Sequence, residues 1–312
     1  MRRIACTLSL LFTLSAASVP SSGNVIRAED QRVAEVAFRL AVRGVARCPI
    51  TTPNAGLVLH HLSQYKLDDR PTAVTQFGID RGPGVLAVVA TGAAAGAGLR
   101  AGDVLLRIDG VAIAPEPFIG ERHDQRRARA RADEVSDLVD TAAADGALTL
   151  TVLRGGIETA VHVMPVPACP SRVHLARSSQ LNAFADGTHV LLTTRLLTLT
   201  KTDDELAFVI AHEMAHNILG HAAEMRAMKR DKDGLAGLLA RPALTRRTER
   251  EADRLAAELV LDSGYTIAGA ERVLHALDRG FTGPTFLANH DSTRDRIAAL
   301  QAYASARAGS LQ

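Results

Sequence analysis

His212, Glu213 and His216 stand together as HEMAH inside the run DDELAFVIAHEMAHNILGH, from Asp203 to His221. Histidines four apart on a helix project from one face about one turn apart, which suits two corners of a tetrahedral zinc site. A glutamate beside the first histidine is placed to take a proton from an activated water. Catalytic zinc needs a third protein ligand and an open position. The run TEREADRLAAEL, from Thr248 to Leu259, offers that ligand on a second helix. Glu249 is assigned to the role, and Asp253, four residues on, falls where it can accept a hydrogen bond from the free N–H of a ligating histidine. Glu251 competes as ligand but has no carboxylate four residues on. His221 follows Gly220, five residues after His216. The HExxHxxGxxH pattern requires six, so His221 reads as a helix-end or surface residue.

These side chains need rigid elements to hold them. KTDDEL supplies carboxylates at a helix N-terminus, favourable against the helix dipole, and Leu206, Val209, Ile210 and Ile218 form a buried stripe. Upstream, Val33, Val36, Ala37, Leu40, Ala41 and Val45 recur at three- and four-residue spacing, predicting an amphipathic helix over 28–47, with Gly44 weakening its last turn. From about Pro71 to Pro165 the texture changes to short β-like runs punctuated by glycine, and after Cys169 it returns to helical patterns.

Composition bounds the setting. The chain has 312 residues, 47% hydrophobic and 22% charged, enough for two packed units. MRRIACTLSLLFTLSAASVPSSG reads as a cleaved secretory signal over about residues 1–20, its apolar run being short against a bilayer span. Losing Arg2 and Arg3 takes the formal net charge from +2 to 0 (2 − 2), and nothing in that balance points to nucleic acid. The basic run from Glu121 to Glu134 reads as a solvated helix face. Cys48 and Cys169 then remain, and in an oxidising periplasmic or otherwise exported location they pair naturally as a disulfide.

Two resemblances follow from longer motifs. The segment holding QFGID, GVLAVVATGAAAGAGLRAGDVLLRIDG and ALTLTVLRGG resembles a PDZ domain of the bacterial protease type. That resemblance implies a groove in which a peptide's C-terminus adds as a strand beside a helix, with Phe77, Gly78 and Ile79 matching the carboxylate-binding loop. NAFADGTHVLLTTRLL, DELAFVIAHEMAHNILGH, EREADRLA and NHDSTRDRIAAL, in that order, resemble the HtpX-type and CAAX-prenyl-protease-type gluzincin metallopeptidases. This second resemblance implies one zinc ion on His212, His216 and Glu249, with Glu213 as general base. It also implies that His290 and Arg296 lie near the cleft, where they stabilise the tetrahedral oxyanion. The membrane-spanning helices of some members are missing between the zinc helices, where GLAGLLA is too short to cross a bilayer, and Asp291 replaces the proline after the late histidine. GTHVLLTT, from Gly187 to Thr194, reads as an edge strand able to align an extended substrate.

The expected architecture is α+β: a gluzincin-type zinc peptidase domain (167–312), an N-terminal helix and connector packed on it (28–70), and an inserted PDZ-like β module (71–166). The expected activity is endopeptidase cleavage of unfolded protein or peptide substrates, the module offering a site for a C-terminal peptide ligand. A chaperone-like or binding factor that keeps the zinc fold is the competing class, and the intact Glu213 weighs against it.

Overall fold

Helix α1 (Ser22–Arg43) buries two adjacent stripes, and the architecture follows from them. Val33, Val36, Ala37, Leu40 and Ala41 enter one core; Ala34 and Phe38 pack with Val89 of another unit. A helix with two apolar faces needs two neighbours, and this one joins the halves of the molecule. It stops at Gly44, where a Cβ would sit 2.3 Å from Leu259 Cδ2, so the expected last turn is instead a tight 3₁₀ turn, Val45–Arg47.

The computed structural model describes residues 22–114, 125–230, 235–280 and 292–310. The signal-like N-terminus over residues 1–20 and His290 lie outside them. After α1 come β1 (Thr52–Asn54), β2 (Leu57–His60), α2 (Arg70–Phe77), β3 (Gly84–Val88), α3 (Ala93–Gly96), β4 (Val104–Ile108) and β5 (Val111–Ala112). Next are α4 (Gln125–Ala142), β6 (Leu148–Arg154), β7 (Ile157–Val163), β8 (Val166–Ala168), β9 (Arg172–Ala176), β10 (Ala183–Ala185) and β11 (His189–Thr193). The helical remainder comprises α5 (Thr194–Leu199), α6 (Asp203–Ile218), α7 (His221–Arg230), α8 (Leu235–Asp262), α9 (Ile267–Gly280) and α10 (Thr293–Gly309).

The mixture is α+β, with two main cores. One gathers α1, α6, α8, α9 and α10 over the three-stranded sheet β10-β11-β9. The other fills a six-stranded sheet ordered β2-β3-β4-β6-β7, with β5 paired to β4. The chain leaves the first core after α1, builds the second, and returns at Ala168 and Cys169. That excursion is closed at its root by the Cys48–Cys169 disulfide, Cα–Cα 5.6 Å, across 121 residues. In the chain-entropy model a loop of this length is worth roughly 4–5 kcal/mol.

Three sequence expectations change. The sheet recruits Leu57–His60, ahead of the boundary expected at Pro71. Strand β11 is central, parallel to β9 and antiparallel to β10, so GTHVLLTT is no edge; the outer strands are β9 and β10. The basic run is not merely solvated. Arg131 is buried and donates to Ala114 O and Glu134, while Arg129 contacts Asp186 and His189 in the first core's sheet. From the same helix Asp137 and Asp140 take Arg172 of β9 at 2.6 and 2.7 Å. Helix α4 thus ties the two cores by charge.

Candidate metal centre

Helix α6 is fixed before any metal is considered. Thr202 caps it, accepting from the Glu205 N–H, while Glu205 returns to the Lys201 N–H at 2.6 Å and is held by Arg272 of α9 at 2.8 Å. Such reciprocal capping satisfies N–H groups the helix leaves open. From Glu205 to Ala215 every residue is buried, so the ring of His212 has little freedom of direction.

The structure brings His212, His216 and Glu249 together, their ligating atoms all within 4.8 Å of one another. His212 Nε2 lies 3.3 Å from His216 Nε2 and 3.2 Å from Glu249 Oε2; His216 Nε2 lies 3.6 Å from Glu249 Oε1. Bonds of about 2.0–2.1 Å around a tetrahedral zinc give ligand-to-ligand edges of roughly 3.3–3.4 Å. Two imidazoles and a carboxylate at that spacing fit zinc in both size and donor chemistry. Electrostatics agrees. Burial works against a charged His212, yet hydrogen bonds to Asp253 and Glu249 overcome it and push the ring up to about 10. The pocket calls for positive charge between its donors. Glu213 is buried next to His212, and both border a small apolar recess with Phe208, Val209, Leu274 and Leu277.

Around this triad sits a layer of support. His212 Nδ1 is 3.0 Å from Asp253 Oδ1, which leaves Nε2 to face the other two donors. Arg296, rooted in α10, grips Asp253 with two bonds of 2.7 Å, Nε to Oδ2 and a terminal nitrogen to Oδ1. Burial opposes the Asp253 charge, but Arg296 and His212 hold its carboxyl well below the usual carboxylate range. Arg296 also borders the recess that His212 and Glu213 line, and the contact its guanidinium makes most closely is with Asp253, with only 5% of the residue exposed.

His221 departs further from expectation. Gly220 takes a left-handed conformation (φ 71°), ending one helix so that α7 starts at His221 and folds that ring back against His216. His221 is 4% exposed, its Nδ1 is 2.9 Å from His216 Nδ1, and its Nε2 is 3.2 Å from Glu251 Oε2. Burial and the nearby His216 depress its pKa, against the pull of Glu251. The signal lay in Gly220, which marks a helix end and a change of direction.

Phe77, Gly78 and Ile79 lie elsewhere. They close α2, with Gly78 N–H donating to Val74 O at 2.8 Å, and Phe77 and Ile79 are buried with Leu62, Ala73 and Leu86. No open loop beside a free strand edge is formed there, because β3 is flanked by β2 and β4. No curated protein matches this chain. Residues 152–236, a span that includes HEMAH and ends before Glu249, match the model of peptidase family M48, which supports assignment to these gluzincins and metallopeptidase chemistry.

Proposed function

We propose that this chain is an exported, zinc-dependent endopeptidase that cuts extended segments of unfolded proteins. The observation that carries the reading is the near-tetrahedral spacing of His212, His216 and Glu249 beside Glu213. When bound, zinc supplies Lewis-acid polarisation of water and of the scissile carbonyl. The protein does the rest. The Glu213 carboxylate accepts the water proton and returns it to the leaving amine nitrogen, a transfer that needs no covalent enzyme intermediate. Asp253, held by Arg296, accepts from His212 Nδ1–H, which turns Nε2 toward the other two donors, where it would give its lone pair to a bound zinc. Strand β10, an outer strand with Phe184 43% exposed, is the better candidate than β11 for pairing with an extended substrate. Export is supported by the disulfide, and no helix among the described residues is long and apolar enough to cross a membrane.

The test is cleavage of unfolded casein by the full chain freed of its leader. Chelation abolishes cleavage and stoichiometric zinc restores it; cleavage indifferent to chelator would overturn the reading.

For the second sheet, the PDZ-like reading moves to a different groove. Strand β2 is outermost, and a cavity of about 520 Å³ at the junction of the two cores is lined by Leu57 and Leu59 of β2, by Ala132, Ser136 and Val139 of α4, and by Ala37, Ala41 and Cys169 of the first core among others. Gly56, left-handed at φ 73°, sits just ahead of β2. An outer strand beside an apolar helix face suits an extended peptide tail, and a cavity of this size is ordinary for ligand sites. Fluorescence anisotropy with apolar C-terminal peptides checks this. Binding is expected, weakened by Val139→Glu and by amidation of the peptide; equal affinity of wild type and V139E removes the groove.

A further inference from the structure

Resting on the zinc reading above, we infer that His221 is a positioning residue that sets the tautomer and direction of His216, with Glu251 as the end of the relay. The geometry leaves one consistent arrangement of protons. His216 turns Nε2 toward His212 Nε2 and Glu249, so that nitrogen must be the bare one if it is to donate to a cation. A neutral imidazole with a bare Nε2 carries its proton on Nδ1. His216 Nδ1 faces His221 Nδ1 at 2.9 Å, a separation that holds one hydrogen and not two. His221 Nδ1 is therefore the acceptor, and its own proton sits on Nε2. That nitrogen faces Glu251 Oε2 at 3.2 Å, and an ionised carboxylate only accepts. Glu251 is itself held by Arg247 at 3.0 Å. The donations thus run in one direction, from the His216 ring through the His221 ring to a carboxylate on α8.

The arrangement differs from that on the partner ligand. His212 meets a buried carboxylate directly, whereas His216 meets a neutral ring and the carboxylate is one residue further out, on a side chain 40% exposed. The ring is packed to keep this register: His216 and His221 meet edge to face, centroids 5.0 Å apart. Three acidic residues of α8 take three separate tasks. Glu249 faces the donors, Asp253 orients His212, and Glu251, which composition alone made a rival ligand, serves His216 through His221.

The experiment uses the full chain without its leader and reads zinc affinity by competition with a chromophoric chelator. It also records the ligand-field spectrum of the cobalt-substituted protein and the denaturation midpoint of the metal-free form. His221→Phe keeps a ring but neither nitrogen. It is expected to weaken zinc about 10–100-fold, the usual size of an outer-shell loss, to alter the cobalt spectrum, and to leave the metal-free midpoint near wild type. His221→Gln, which can both accept and donate, recovers part of the affinity. Glu251→Gln changes an exposed group and so tests the relay without disturbing the core. Its amide can donate to His221 Nε2, favouring the reverse tautomer, and zinc affinity falls again. Unchanged zinc affinity in His221→Phe overturns the inference, and if that variant does not fold, unchanged affinity in Glu251→Gln does so. Failure of wild type to bind zinc defeats the underlying peptidase reading instead, which separates the two.

Discussion

Glu213→Gln lowers kcat/KM on an unfolded protein substrate by about 10²–10⁴-fold while the protein keeps its zinc, the range that a positioned general base contributes. The glutamine has nearly the shape of the residue it replaces, which matters because Glu213 is 4% exposed and lines the same recess as His212. It can still donate and accept hydrogen bonds, but it cannot hold the water proton between the two halves of the reaction. The loss should fall mainly on kcat, because proton transfer is an event of the transition state and not of substrate binding. Measuring zinc content and steady-state kinetics on the same preparation decides the matter. A variant that holds zinc and cuts at the wild-type rate would show that Glu213 is not the base, and attention would shift to another carboxylate near the donors.

Much of this centre was readable because helices convert spacing into direction. Residues four apart share a face whatever surrounds them, so His212 with His216, and Glu249 with Asp253, could be paired by eye before any packing was known. The structure brings these four together, with His212 touching both carboxylates. What could not be read depended on chain reversals and on contacts between distant elements. His221, five residues after His216 where the known pattern needs six, reads as a helix-end or surface residue, yet the left-handed Gly220 turns the chain and returns the ring to His216. Arg296 was placed near the cleft by motif order, but whether a guanidinium points at substrate or at a buried aspartate depends on how α10 packs on α8. Strand order is non-local in the same way. Parallel pairing of β11 with β9 leaves β10 outside, and alternation within GTHVLLTT carries no trace of that. The charges of α4 read as solvent-facing because their partners, Asp186 and Arg172, lie in another core.

Arg296→Met destabilises the metal-free protein by about 3–5 kcal/mol, the cost of leaving a buried charge without its partner. Asp253 is 7% exposed and receives two 2.7 Å bonds from Arg296; once these are gone, a buried carboxylate faces only His212. The cost belongs to the stranded charge and not to the missing arginine as such, and a second substitution separates the two. In Asp253→Asn/Arg296→Met neither ion of the pair remains, so most of the stability returns, and the cycle shows a coupling of about 1–3 kcal/mol. Zinc affinity does not return with it, because an amide supports His212 Nδ1–H less strongly than a carboxylate does. The pH dependence follows from the direction of the shift. The Asp253 carboxyl is held below its ordinary value of 3.8, so its stabilisation is fully present above that value and is lost as pH falls through the lower folded one. Denaturation free energy of wild type should therefore drop on the acid side of about pH 4, and Asp253→Asn should remove that part of the drop. Denaturant titrations of the metal-free proteins at pH 7 and pH 3 measure all of this. If Arg296→Met costs less than about 1 kcal/mol and the double variant is no more stable, the Asp253–Arg296 pair is an exposed-type ion pair in its energetics. The rigidity of His212 must then come from α6 packing alone.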